Sequence, residues 1–472
     1  LKILITGGTG FVGRQLVRKL LQIGITPVVL SRNIQKAQDL LGELPDYYAW
    51  DALSGPPPQE AFESVTAIVN LMGEGVAEKR WTATQRKRMW DSRVTGTRHL
   101  VQGALTFAPK LGVFISASAI GYYDHEGPGD RDEQSQSATH FMAKLCQAWE
   151  SESMAINNQK TIREVRLRIG VVVGAGGGAI DKMKYPYLLG IGGSLGNGHQ
   201  WMNWIHRDDL VDLMVAALQD KKYSGVYNAV SPGNVTNATF SGVLASLLHR
   251  PNLFKVPRFV LKLILGEMAA VVLDGAKVVP ERLNAAGFTF KYTQLTPALK
   301  EALHIKFIVH LNQEVACERF YVQQWLEQNQ KDVFAFFSEA QNLEKITPPF
   351  VRFKITHQST PDIQSGTLFD YRLKIRGIPI RWRTEILDWN PITSFVDTQL
   401  RGPYKVWHHT HLFYTFGNGT LCEDEVYFAL PAVPLFAKLA MIIVKKDVKK
   451  IFDFRKKVIY DVLGKPEIVP QK

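Results

Sequence analysis

At 472 residues the chain is too long for one ordinary hydrophobic core, so two or more domains are expected. The composition is globular, 46% hydrophobic and 21% charged, and a formal charge of +12 with no basic arm favours anionic small ligands over nucleic acid. Three widely spaced cysteines, Cys146, Cys317 and Cys422, fit neither a disulfide framework nor zinc spacing and suggest a reducing, cytoplasmic setting. The first residues already read as a strand, so no signal peptide is expected. The longest apolar stretch, "FVLKLILGEMAAVVL", is interrupted by Lys262 and Glu267, short of the ~18 apolar residues a membrane span needs.

From Leu1 to about residue 305 the pattern alternates strand and helix. "KILIT" leads into a glycine turn and the amphipathic "FVGRQLVRKLLQIG". The strands "PVVLS", "YYAW", "AIVNLMG", "VFISASA" and "REVRLRIGVVV" follow, separated by helical stretches. Continuous apolar strands alternating with helices predict an α/β unit, a doubly wound parallel sheet covered on both faces. After about Lys306 the texture changes to alternating strands: "FVRFKIT", "TLFDYRLKI", "IPIRWRTEILDW", "TSFVDTQL", "YKVWHHTHLFYTF" and "GTLCEDEVYFAL". A long helix from about Pro434 to Leu463 closes this second unit, 306–472, which reads as an α+β antiparallel sheet gripping a helix.

The first motif is "TGGTGFVG", Thr6 to Gly13. Gly7 permits a tight turn, Gly10 lets backbone approach a pyrophosphate, and Gly13 lets helix pack on strand. The N–H groups at the helix start, Phe11 and Val12, are then free to hold phosphate. The end of the second strand selects the cofactor. An acidic residue there would bond the adenosine ribose of NAD; this chain has Ser31 and Arg32, which suit the 2′-phosphate of NADP(H). Asp51, after the third strand, either meets the adenine amine or caps a turn.

These motifs give the chain a family likeness. With "VNLMGEGVAEKRWT", "DSRVTGTRHLV", "FISASAIGYY", "RLRIGVVVGAGGGA", "GGSLGNGHQWMNWIHRDDL" and "NAVSPGNVTNATF", the region to about Ile305 resembles the extended short-chain dehydrogenase/reductases, the superfamily of NAD-dependent epimerases and dehydratases. It is most similar to their epimerase-like branch, sometimes labelled cell-division inhibitor. The resemblance implies a Rossmann-type domain with a small C-terminal substrate subdomain over about 225–305, with Leu71 and Met72 offering backbone to the cofactor and Arg93 near the nicotinamide end. It also implies a serine, a tyrosine and a lysine as the catalytic set.

Ser118 in "ISASA" matches the serine. The next helix, "THFMAKLCQAWE", offers Met142 and Cys146 where Tyr-x-x-x-Lys belongs. Methionine donates no proton, and a neutral thiol is no fixed cation. His140 and Lys144 keep the spacing in a shifted frame. Tyr122 and Tyr123, in "GYYDHEG" at the mouth of the sheet, are stronger candidates for the acid. Phe141, Leu145, Ala148 and Trp149 recur at helical spacing, which marks this helix as packed on the sheet. Glu74, Lys79, Arg80 and Trp81 are expected at the same mouth, Trp204 and Ile205 are expected to pack, and Asp208 or Asp209 to cap a helix.

The second unit resembles the START-like, polyketide-cyclase-like (SRPBCC) superfamily through "NLEKITPPF", "RGPYKVWHHTHLF" and "EDEVYFALP". That likeness implies a cavity for a hydrophobic small molecule. Trp407, His409, His411 and Phe413 alternate onto one face. No neighbouring cysteine or spaced carboxylate completes a metal set, so no metal is expected, and the histidines read as cavity-lining polar groups or cross-strand partners of Asp424 or Glu425. Lys445, Lys446, Lys449 and Lys450 read as the wet face of the last helix.

Two readings stand. One is an NADP(H)-dependent oxidoreductase or epimerase acting on a small carbonyl or hydroxyl substrate. The other is a regulatory protein that holds NADPH without turnover.

Overall fold

A computed structural model describes residues 1–124, 129–159, 161–252, 254–303, 307–310, 313–431 and 437–463. The expected boundary near residue 305, the expected helix start at Pro434 and the His125–Gly127 part of "GYYDHEG" lie outside the described residues. The chain folds into two compact units, one of Leu1–Leu20 with Ile25–Leu303 and one of Leu21–Gly24 with His304–Lys472.

The first unit is built on strands β1 (Lys2–Thr6), β2 (Thr26–Ser31), β3 (Asp46–Ala49), β4 (Val65–Asn70), β5 (Val113–Ala119), β6 (Arg163–Ile169) and β7 (Gly225–Ala229). Their order is β7-β6-β5-β4-β1-β2-β3, with every pair parallel. The order reverses direction between β1 and β4, which opens a crevice at the carboxyl ends of those strands. The strands are apolar on both faces: Ile3, Leu4, Ile5, Ile68, Val69, Phe114 and Ile115 are all sealed. Each such side chain contributes about 1.5–3 kcal/mol by leaving water.

Three helices matter for the site: α1 (Phe11–Gln22), α2 (Phe141–Met154) and α3 (Arg207–Gln219). Helix α1 buries Leu16, Val17, Leu20 and Leu21, one stripe at helical spacing. The segment "REVRLRIGVVV", read as one strand, is two. It breaks at Gly170, where a Cβ would stand 2.6 Å from the Asn203 carbonyl, and Val171–Val173 pairs with Trp204–His206 instead. Trp204 and Ile205 are fully buried, as expected. The cap of α3 is neither aspartate: His206 Nδ1 accepts the Asp208 N–H, and Asp209 accepts the N–H groups of Lys291 and Tyr292.

The second unit is a seven-stranded antiparallel sheet of β8 (Glu318–Leu326), β9 (Lys354–Gln358), β10 (Leu368–Ile375), β11 (Ile378–Asn390), β12 (Ser394–Arg401), β13 (Val406–Phe416) and β14 (Gly419–Ala429), in the order β8-β14-β13-β12-β11-β10-β9. Arg376 and Gly377 both take positive φ in the tight turn joining β10 to β11, the conformation a two-residue hairpin needs. Helix α4 (Ala437–Leu463) buries Val448, Phe452, Arg455 and Ile459, successive points on one stripe, and leaves Lys445, Lys446, Lys449 and Lys450 exposed. Strand β8 has no counterpart in the sequence reading. It is half-buried at nearly every position, so no period of two marks it.

Candidate functional site

The site assembles at the carboxyl ends of β1, β4 and β5. Gly7 has φ +68°, and a Cβ there would lie 2.7 Å from the Leu71 carbonyl oxygen. A Cβ on Gly13 would collide with the Gly7 carbonyl, and Gly10 N–H donates to that same carbonyl at 2.9 Å. Both glycines are therefore required by close backbone approach. Thr6 ties the two strand ends together: its hydroxyl donates to Asn70 Oδ1 at 2.7 Å and accepts the Leu71 N–H at 3.1 Å. The start of α1, with Phe11 and Val12, thus opens beside Leu71 and Met72, and the resulting backbone cradle fits a pyrophosphate.

At the end of β2, Ser31 is engaged locally. Its hydroxyl donates to the Asn33 carbonyl at 3.0 Å and accepts the Asn33 N–H at 3.2 Å. Arg32 is exposed and makes no hydrogen bond or ion pair among the described residues. Asp51 is exposed and accepts the Leu53 N–H at 3.1 Å, the turn-capping alternative. Arg93 donates to the Glu74 carbonyl at 2.9 Å, lies over the Trp149 ring, and has its pKa lowered by burial.

Ser118 and Tyr123 belong to one buried polar chain. Ser118 Oγ donates to Glu150 Oε1 at 2.7 Å. Arg168, beside Ser118 in the β5–β6 register, grips Glu150 with Nε and a second nitrogen at 2.8 and 2.9 Å. A third Arg168 nitrogen donates to the Tyr123 hydroxyl at 2.8 Å, and that hydroxyl donates to Asn228 Oδ1 at 2.7 Å. Tyr123 is 1% exposed, and burial pushes its pKa up to about 12 although Arg168 opposes the rise. Tyr122 is half-exposed, with the Arg168 guanidinium 3.4 Å from its ring centroid. The sequence reading missed Glu150, Arg168 and Asn228. The available signal was an acid on the apolar face of α2 and charged residues, Arg166 and Arg168 among them, inside a strand of a sheet covered on both faces.

The loop after β4 spreads outward. Lys79 and Arg80 are exposed, with Arg80 donating to the Leu263 carbonyl, while Glu74 accepts from Gln85 at 3.3 Å and Trp81 donates to the Val76 carbonyl.

The NAD dependent epimerase/dehydratase family matches residues 3–229, and a domain of unknown function (DUF1731) matches 256–302. An epimerase family protein SDR39U1 homolog, chloroplastic, of Arabidopsis thaliana is 37% identical over 299 residues, 63% of this chain and 85% of that protein. The chain belongs to the NAD-dependent epimerase/dehydratase family. A human epimerase family protein, SDR39U1, crystallised with NADPH, is 32% identical with a TM-score of 0.58, covering 64% of this chain and 99% of that one. A UDP-glucuronic acid 4-epimerase from Bacillus cereus, in complex with UDP-glucuronic acid and NAD, shares the fold at 18% identity, with a TM-score of 0.54. The matched family regions end at residue 302.

Within this epimerase/dehydratase family member, α2 carries the departure. Met142 lies against Gly121 beside the tyrosine pair. Cys146 is fully buried, and burial, reinforced by Glu150, pushes its thiol up to about 12. The frame-shifted pair is not at the site: His140 precedes α2 and caps it by accepting the Ala143 N–H, and Lys144 is exposed. Leu145 and Trp149 pack inward, and Trp149 Nε1 donates to Thr97 at 3.1 Å.

Proposed function

We propose that the first unit is an NADP(H)-dependent oxidoreductase or epimerase-like enzyme acting on a small carbonyl or hydroxyl substrate. The observation that carries this is an exposed Arg32, without a partner among the described residues, at the end of β2 beside a glycine cradle at the switch point of the sheet. Arg32 pairs with the 2′-phosphate, the Phe11 and Val12 N–H groups at the start of α1 hold the pyrophosphate, and Leu71 and Met72 line the cofactor with backbone. Arg93 closes the nicotinamide end. The nicotinamide, when bound, supplies or accepts hydride. Tyr122 donates the proton to the substrate oxygen, since Tyr123 has its hydroxyl committed to Arg168 and Asn228. Ser118, Glu150 and Arg168 hold the tyrosine pair in place.

The second unit supports a START-like reading, a sheet and long helix enclosing an aromatic interior, with a hydrophobic small molecule as its ligand. Among the described residues no helix is long and apolar enough to cross a membrane.

A non-catalytic NADPH sensor is the second reading, favoured by Met142 and the sealed Cys146 on α2. A survey of NADPH oxidation against small carbonyl compounds separates the two. Turnover lost in Tyr122→Phe supports the enzyme; tight NADPH binding with no turnover on any carbonyl supports the sensor.

A further inference from the structure

Two clusters of candidate metal-ligating side chains occur among the described residues. In the first unit, His206, Asp208 and Glu301 converge, but Glu301 already accepts from His206 at 2.8 Å and from the Ala175 N–H at 3.2 Å, and Arg207 adds a cation beside it. His206 has both ring nitrogens engaged, Nε2 with Glu301 and Nδ1 with the Asp208 N–H. The cluster in the second unit is different.

His409 and His411 alternate onto the inner face of β13. Cross-strand pairing brings two carboxylates to them: Asp424, one of the partners expected from the sequence, and Asp397, which the sequence did not announce. Asp397 on β12 stands opposite His409, and Asp424 on β14 stands opposite His411. Both imidazoles are 4% exposed. His409 Nδ1 lies 3.4 Å and His411 Nε2 lies 3.3 Å from one oxygen, Asp397 Oδ2. Ligands about 2.1 Å from a shared ion stand roughly 3.0–3.4 Å apart, so both separations from Asp397 Oδ2 suit a shared ion, and one donor atom from each of the three residues lies within 4.8 Å of the other two. The opposite ring nitrogens both face Asp424. His409 Nε2 bonds its Oδ1 at 2.9 Å. His411 Nδ1 lies 2.8 Å from the same oxygen yet makes no hydrogen bond. A carboxylate behind a metal-bound imidazole is the usual device for fixing ring and tautomer.

The charges agree. With neutral imidazoles, two carboxylates face one cation among the described residues, Arg455, whose guanidinium is 3.9 Å from Asp424. Phe395, Phe337 and Phe452 wall the group with aromatic rings. The buried set therefore carries one uncompensated negative charge. A divalent ion holding hydroxide neutralises it, and so does one extra proton on an imidazole.

The geometry points to a divalent transition-metal site in the second unit, with His409 Nδ1, His411 Nε2 and Asp397 Oδ2 as ligands and Asp424 behind both rings, bonded to that of His409. Two histidines and one carboxylate leave coordination positions for water or for a bound molecule. The sequence reading expected no metal because it looked for a carboxylate along the chain; the sheet supplies it from a neighbouring strand.

The test uses the full chain, stripped of metal and titrated with Co(II). One cobalt per chain, with visible d–d absorption and displacement by Zn(II), is expected. Asp397→Asn and His411→Gln should each weaken cobalt binding by about 10²-fold or more, the upper end of what losing even an outer partner costs, while His206→Gln should not change it. Near-ultraviolet circular dichroism of the metal-free variants checks that the aromatic interior is intact. Zinc-edge X-ray absorption of the loaded parent needs no variant and should show two imidazoles with oxygen ligands. No stoichiometric cobalt, loss of binding in His206→Gln, or a zinc shell with fewer than two imidazoles overturns the proposal and leaves a proton in the cluster.

Discussion

Ser118 Oγ gives its hydrogen bond to Glu150 Oε1 at 2.7 Å, and both side chains are buried. The serine at the end of β5 is therefore coupled through Glu150 and Arg168 to Tyr123, while Tyr122 keeps a half-exposed ring under the same guanidinium.

The two tyrosines should separate cleanly. Tyr122→Phe should lower turnover by roughly 10²-fold with little change in stability, the scale of losing a general acid. Tyr123→Phe should instead cost about 1–3 kcal/mol of stability, because Asn228 and Arg168 lose a buried partner. Steady-state rates and urea melts of both variants decide this. A large rate loss in Tyr123→Phe alone would reverse the assignment.

Glu150→Gln should destabilise the first unit by about 3–5 kcal/mol, since it strands Arg168 inside the protein. The readout is the urea midpoint of the full chain. A shift under 1 kcal/mol, on the scale of an exposed pair, would mean that Arg168 is solvated in solution.

Cofactor preference should rest on Arg32. NADPH should bind at least about tenfold tighter than NADH, ~1.4 kcal/mol, and Arg32→Ala should abolish the difference. Fluorescence titration with both nucleotides measures it. Equal affinities in the parent protein would remove Arg32 from the site.

Cys146 should be inert in the folded protein. With a pKa near 12, about one thiol in 10⁴ is ionised at pH 8, against about a quarter for a free cysteine. Iodoacetamide should label Cys146 only after unfolding, and Cys146→Ala should leave turnover nearly unchanged. Rapid native labelling at pH 8 would mean that α2 opens.

Fragments 1–303 and 307–472 should each melt cooperatively, and the first should bind NADPH by itself. Two insoluble fragments would show a shared core.

Much of the first unit was legible in the chain. The strands of the parallel sheet are continuous apolar runs, and "TGGTGFVG" has glycines where backbone meets backbone; both are local consequences of covalent geometry and of burial on two faces. The alternation of His409 and His411 onto one face of β13 was equally local.

The polar partners were not legible. Glu150, Arg168 and Asn228 are separated by 18 and 60 positions, and each looks like an ordinary residue of its helix or strand until the sheet register sets Ser118 beside Arg168. The helix cap at His206 was missed because aspartate is the commoner cap, and here Asp209 is drawn away by two backbone N–H groups from Lys291 and Tyr292. Asp424 was expected beside the two histidines and is there, whereas Asp397 was missed and reaches them only through the antiparallel pairing of β12 with β13. Periodicity fixes which face a side chain takes, because that follows from backbone geometry within a few residues. Which charges meet on that face depends on strand order and register, and those are set by the packing of the whole sheet.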